Sequence, residues 1–256
     1  MKIHVLTLFP EMFRPVMESS MLGRAVAAGI LQIKATDIRQ FSHDKHNKAD
    51  DYPFGGGGGM VMMADPVFGA MESVEAENKK VIYMSPRGKI LDREKIEELS
   101  KIPEMVILCG HYEGVDQRAL DHWNAEEISL TDRLKYFMKH HLIFCDHHKT
   151  TRILIDSVAR MIPGVLGNEN SALDESVYSG LLEHPQYTKP REYRGLEVPE
   201  VLTSGNHKQI DLWRFKQSLA LTKERRPDLL KRYLEQEHAF SKEERRILEE
   251  IMKMER

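Results

Sequence analysis

Four stretches of the chain carry residue types at spacings that can do chemistry. The first is Asp50, followed shortly by five consecutive glycines, Gly55, Gly56, Gly57, Gly58 and Gly59. Glycine lets a backbone take positive φ and approach a ligand closely. Exposed amides in such a loop can hold an anion or the edge of a base. No Lys-Ser/Thr pair follows at the spacing of a nucleotide-phosphate loop. The alternative is a flexible loop anchored by Met60, Val61, Met62 and Met63. The second stretch is Cys109-Gly110-His111-Tyr112-Glu113-Gly114-Val115-Asp116. Its glycines leave room for a ligand and Glu113 supplies a carboxylate. It reads equally as a tight strand-to-helix turn with Asp116 as N-cap. The third is Asp156-Ser157-Val158-Ala159-Arg160 on a helix, where Arg160 is either a solvated cation or a group that stabilises a developing anion. Asp174 and Glu175 follow in a loop. The fourth packs His140, His141, Cys145, His147 and His148 into nine residues. His and Cys at short range can bind zinc, but the pair spacings of zinc modules are absent, and no metal site is assigned.

The elements that must position these residues alternate. Apolar runs at 3–8, 30–38, 81–84 and 105–109 read as strands, and 11–28 and 92–101 have helical spacing. Strand, turn and helix repeated in this way predict an α/β domain with a parallel sheet. In such sheets ligands sit beyond the carboxyl ends of the strands, so the turns after Met84 and Cys109 are the first places to look. Residues 163–206 hold four of the eleven prolines and five glycines and read as a linker. Beyond it, 207–222, 227–237 and 241–254 read as helices. Pro227-Asp228 starts one, and Ser241 with Glu244 makes a capping box for the last. The expected organisation is a domain at 1–162, a linker at 163–206 and an all-helical domain at 207–256.

Composition bounds the class. The 256 residues carry 37 Lys+Arg against 40 Asp+Glu, and 41% are apolar. Enough Ile, Leu, Val and Met are present for a core, which excludes a disordered chain. Two cysteines give no disulfide framework, so a reducing, cytoplasmic setting is expected. No apolar run nears the ~20 residues that span a bilayer, and a secretion-signal pattern is missing. Charge is unevenly spread. Residues 1–186 carry a net −6 and 187–256 a net +3, with a local +5 over 208–232. Such a patch can neutralise phosphates or be a solvated helix face.

Taken together, the motifs resemble the bacterial tRNA (guanine-N1)-methyltransferase family, TrmD. The matching strings include LTLFPEMF at 6–13, DKHNKADDYPFGGGGGMVMM at 44–63, MSPRGK at 84–89, CGHYEGVDQR at 109–118, IDSVARMIPGVLGNENSA at 155–172, GLLEHPQYTKP at 180–190 and VPEVLTSGNH at 198–207. The resemblance implies a SPOUT-type parallel sheet with a trefoil knot, a small helical C-terminal domain that helps hold tRNA, and a homodimer whose active sites are shared between subunits. It implies S-adenosyl-L-methionine as methyl donor, bound by Tyr83, Met84, Ser85, Pro86, Gly110, Tyr112, Glu113, Gly114, Ser129, Leu130 and Asp132. Asp50 and the glycine loop would hold the guanine, and Ser204, Asn206, His207 and Arg214 would contact the tRNA. The family methylates N1 of the guanosine at tRNA position 37. Its members use Mg²⁺, and Glu113 is a conceivable site for that ion's influence.

N1 of neutral guanine bears a proton that a carboxylate can accept, and charge then builds on O6, where a guanidinium lowers the barrier. The resemblance gives the O6 role to Arg160. It gives the base role to Glu175, aligned with the family's aspartate, with Asp174 as the neighbouring candidate. One segment departs from the family. After EIS the family has a string like IGDYVLTGGELPAMVLIDS, whereas Ser129 here is followed by LTDRLKYFMKHHLIFCDHHKTTRILIDS. The paired glycines are missing, the segment is longer, and bulky Tyr136, Phe137 and Phe144 enter it. An insertion with a rebuilt pocket, a shifted reading of the gene, and a tRNA-binding relative without cofactor binding are the three alternatives.

Overall fold

A computed structural model describes residues 1–56, 58–130, 147–166 and 180–253. The chain divides into two compact units, residues 1–169 and 170–256.

The first unit is built on β1 (Lys2–Thr7), β2 (Gln32–Asp37), β5 (Lys80–Ile90), β6 (Glu104–Leu108) and β7 (Glu126–Ser129), with β3 (Asp50–Asp51) and β4 (Val61–Met62) as a short separate pair. The five-stranded sheet has the order β2-β1-β6-β5-β7. Every pairing in it is parallel. Central parallel strands are buried on both faces, which is why they read as unbroken apolar runs. Their side chains alternate between two cores. Ile3, Val5, Ile82, Met84, Met105 and Ile107 enter one, with Leu154, Ile155 and Val158 of the helix His147–Arg160. Leu6, Val81, Tyr83, Val106 and Leu108 enter the other, with Val67 and Met71 of the helix Ala64–Glu72 and Leu120 of the helix Gln117–His122.

The stretch 11–28, expected as one helix, is a 3-10 turn (Pro10–Met12) and two helices, Arg14–Glu18 and Ser20–Ala27. Ser19 is extended and Ser20 takes φ 57°. The Glu18 backbone then comes so close to Gly23 that a Cβ there would lie 2.7 Å from the Glu18 carbonyl carbon. Asp92 and Asp116 cap their helices, accepting from the backbone N–H groups of Lys95 (2.9 Å) and Arg118 (3.0 Å).

The second unit contains the helices Glu200–Thr203, His207–Arg225, Pro227–Leu234 and Lys242–Lys253 and a hairpin of Glu192–Tyr193 with Leu196–Glu197. Leu181, Leu219, Leu230, Tyr233 and Ile251 form its core. Leu181 therefore packs with the helices although it lies in the stretch read as a linker. The Ser241 capping box is formed in both directions: Ser241 N–H donates to Glu244 at 2.7 Å and Glu244 N–H to Ser241 Oγ at 3.2 Å.

At the amino edge of the sheet, Glu104 accepts from His4 Nε2 at 2.7 Å and faces Lys2 at 3.1 Å and Lys79 at 3.6 Å. The His4 and Lys2 hydrogen bonds pull its carboxyl from an ordinary 4.5 down to about 2. A carboxyl depressed in the folded state contributes stability that is complete above its unfolded value and is lost as pH falls through the folded one. Glu104→Gln should therefore flatten the acid limb of stability between about pH 4.5 and 2; an unchanged limb in denaturant titrations across that window would contradict this.

Candidate functional site

A parallel sheet puts all its carboxyl ends on one edge. Among the described residues, the buried polar side chains are Thr7, Ser85, Ser129, His147, His148, Thr150 and Thr151, together with His4 and Thr222. The first seven belong to the ends of β1, β5 and β7 and to the first turn of the helix His147–Arg160. Buried polar groups need partners, so such a concentration marks a built site.

The edge owes its shape to a bulge in β5. Met84 and Lys89 both pair with Ile128 of β7. Ser85, Pro86, Arg87 and Gly88 are consequently looped out of the ladder, a re-aiming device that often lies beside binding sites. Arg87 ties the loop down, with Nε 3.2 Å from Glu127 Oε2 and Nη2 3.1 Å from Oε1, and Nη2 also reaches Gln117 Oε1 at 3.2 Å. Ser85 Oγ accepts from Arg87 N–H at 3.1 Å. Gly88 lies flat on β7, where a Cβ would overlap the backbone of Glu127 and Ile128. Met84, Ser85 and Pro86 line a recess with Ile128, Ser129, Leu130 and Thr150. Its free volume is about 10 Å³, room for one water. The chemistry of its walls suits a nucleoside, with apolar side chains for the faces of a base and three hydroxyls for polar edges.

Beside it, the 110–114 turn and the glycine loop are joined through Met62. Met62 pairs antiparallel with Asp50 and makes a parallel bridge to Val115. Met62 N–H donates to Gly114 O at 3.0 Å, Glu113 N–H to Met60 O at 3.0 Å, and Asp116 N–H to Met62 O at 2.9 Å. Gly59 has φ +85°, and a Cβ there would lie 2.5 Å from Glu113 Cγ. Asp50, Gly59 and Glu113 are thus brought together. Gly55, Gly56 and Gly58 are exposed, as are Tyr52 and Phe54. Neighbouring Asp51 is held below the usual carboxylate range by hydrogen bonds from Lys48 and from the Tyr52 N–H. Tyr112 is exposed with φ 56° and packs edge-on to His111 at 4.3 Å.

Two histidines complete the edge. His147 places Nδ1 2.9 Å from the Met84 carbonyl and stacks on Tyr83, with centroids 5.8 Å apart. His148 Nε2 meets Thr7 Oγ1 at 3.0 Å, and its ring packs between Phe9 and His111 at 5.5 and 5.9 Å. The sequence grouped both with a zinc-like cluster. Their burial, His147 beside Tyr83 and His148 beside Phe9, was not readable there, because it depends on how the helix is docked. Among the described residues no group of three His, Cys, Asp or Glu could hold a metal ion.

Arg160 ends the helix His147–Arg160, half-exposed, with Asp156 Oδ2 2.7 Å from Nε. In the second unit, Asn206 caps the helix His207–Arg225 by accepting from Gln209 N–H at 3.2 Å, and Ser204 Oγ accepts from Asn206 N–H at 3.2 Å. Arg214 lines a groove of about 630 Å³ with His184, Tyr187, Lys189 and Arg191. The expected site residues Gly57, Asp132, Asp174 and Glu175 lie outside the described residues, as do His140, His141 and Cys145.

The amino-acid sequence is similar to known proteins of a described family. The family described as tRNA (Guanine-1)-methyltransferase TrmD matches residues 1–232. The chain is 49% identical over 232 residues to a tRNA (guanine-N(1)-)-methyltransferase of Ruminiclostridium cellulolyticum, covering 90% of this chain and 96% of that one. It is 47% identical over 259 residues to the protein of the same name in Alkaliphilus oremlandii, covering 98% of each. A relative with that name from Staphylococcus epidermidis is 46% identical over 254 residues, covering 99% of this chain and 98% of its own.

The bulge generates a test of its own. Gly88→Ala forces a Cβ into the β7 backbone and should cost about 1–3 kcal/mol. This should read as a lower urea midpoint at an unchanged slope; an unchanged midpoint would mean the loop does not lie against β7.

Proposed function

The chain belongs to the tRNA (guanine-N1)-methyltransferase family, and from that premise we propose that it methylates N1 of the guanosine at tRNA position 37, next to the anticodon on its 3′ side, using S-adenosyl-L-methionine. The observation that carries this reading is the match over residues 1–232. When bound, the cofactor supplies an electrophilic methyl group on its sulfonium.

The chain's own residues have five tasks. The 85–88 bulge, the 110–114 turn and Ser129 with Leu130 would hold the cofactor, with Asp132 alongside. Asp50 and the glycine loop would receive the guanine, presented on an exposed surface as a base drawn out of an RNA requires. Glu175, or Asp174 beside it, would take the N1 proton. Arg160 would donate to O6 as negative charge gathers there, its guanidinium oriented by the ion pair with Asp156. For tRNA, the 184–214 groove offers Lys189, Arg191 and Arg214 to phosphates and His184 and Tyr187 to bases, the combination that suits single-stranded segments. Ser204, Asn206 and His207 stand at the start of the same long helix. The family resemblance further supports a SPOUT-type knot, a helical tRNA-holding domain at the C-terminus, a homodimer with shared active sites and a cytoplasmic location. Among the described residues no helix is long and apolar enough to cross a membrane.

Arg160→Ala and Glu175→Ala should each lower methyl transfer by about 10²–10³-fold while calorimetric affinity for S-adenosylmethionine stays within about twofold. Full activity in Glu175→Ala would move the base role to Asp174 or another group. A folded wild-type protein that binds no S-adenosylmethionine would overturn the reading. Affinity for tRNA should fall steeply with salt, and replacing Lys189, Arg191 and Arg214 together by Ala should flatten the log–log slope by about 2–3. An unchanged slope would remove the groove from the tRNA surface.

A further inference from the structure

We propose that His147 is a positioning residue for the methyl-donor nucleoside, anchoring Tyr83 and the 84–86 wall of the recess that would receive it; this rests on the methyl-transfer reading above. No proton step of that reaction needs this imidazole, yet it is 7% exposed and engaged on three sides. Its Nδ1 lies 2.9 Å from the Met84 carbonyl oxygen. A carbonyl only accepts, so Nδ1 carries the proton and donates. Met84 is the last residue paired with Ile128 before the bulge, so the bond fixes the peptide from which Ser85 and Pro86 leave the ladder.

The ring itself stacks on Tyr83, 5.8 Å between centroids and 14° from parallel. Gly110 lies against the edges of both rings, where a Cβ would come 2.8 Å from Tyr83 Cε2 and 3.3 Å from His147 Cε1. The stacked pair therefore packs directly on the 110–114 turn. The His147 carbonyl accepts from Thr150 Oγ1 at 3.0 Å, and Thr150 is itself a wall of the recess with Met84 and Ser85. The His147 side chain thus joins β5, where its bulge begins, to the start of the helix His147–Arg160, and packs on the 110–114 turn. Groups that contact a ligand act through the partners that orient them, and loosening those partners weakens binding without touching the ligand.

The test compares His147→Leu, which keeps much of the volume and removes the donor, with His147→Asn, whose amide nitrogen can donate from near the position of Nδ1. S-adenosylmethionine affinity is read by calorimetry, with kcat and KM on tRNA and the urea midpoint alongside. His147→Leu should raise the Kd about tenfold, the scale of one lost hydrogen bond. Its kcat at saturating cofactor and its KM for tRNA should stay near wild type, and His147→Asn should recover most of the affinity. An unchanged Kd in a folded His147→Leu overturns the inference alone. Equal losses of affinity in both variants, tracking a fall in the urea midpoint, overturn it in favour of a purely structural role. If His147→Leu does not fold, His147→Asn decides: near wild-type affinity supports the inference and wild-type-like stability with lost affinity overturns it. A wild-type protein without S-adenosylmethionine binding overturns both this inference and the function beneath it.

Discussion

Met84 and Lys89 share one partner, Ile128, and the four residues between them have no place in the ladder. That register conflict shapes the site. It forces Ser85 and Pro86 out beside Ser129 and Leu130, requires a glycine where the loop returns across β7, and recruits Arg87 to clamp Glu127. The conflict is tolerated because β6 holds β5 over Lys80–Tyr83 and β7 holds it before and after the loop, so the loss of a few ladder bonds does not free the strand.

How much of this was legible in the sequence follows from where each signal resides. Strands buried on both faces announce themselves as apolar runs, so β1, β5 and β6 were readable from residues alone. Local chemistry was equally readable: the Ser241–Glu244 box and the Asp116 cap need only neighbours three residues away or fewer. β7 escaped because Glu126 and Glu127 dilute a four-residue strand, and both carboxylates are there to meet Lys80, Lys95 and Arg87. The link from Asp50 through Met62 to Val115 escaped because a pairing one or two residues long has no period to detect. His147 and His148 were noticed only as metal-like residues. Their partners, Met84, Tyr83 and Thr7, are separated from them by more than sixty residues, a distance over which pattern gives no information.

Charge followed the same logic. The local excess over 208–232 suggested a basic face, but the last helix answers much of it. Glu243 lies 2.6 Å from Lys208 and Glu250 2.7 Å from Lys216. Exposed pairs of this kind contribute little to stability, yet they cancel the field a distant phosphate would sense. The groove at 184–214 shifts the weight from overall charge to placement, because Lys189, Arg191 and Arg214 line one concavity with Tyr187.

The sheet edge is graded in burial, and the gradient matches two substrates with opposite needs. Ser129 and Ser85 are enclosed, Glu113 and Gly59 are open, and Phe54 is fully exposed. A small methyl donor gains from burial, since enclosure excludes water and strengthens every contact to it. A guanosine that remains part of a large RNA can only be met at the surface, by a loop that protrudes. At the open end Met62 pairs with Asp50 on one side and bridges to Val115 on the other. In the proposed reaction this joint would hold the guanine-receiving loop against the 110–114 turn, whereas His147 would act on the enclosed end.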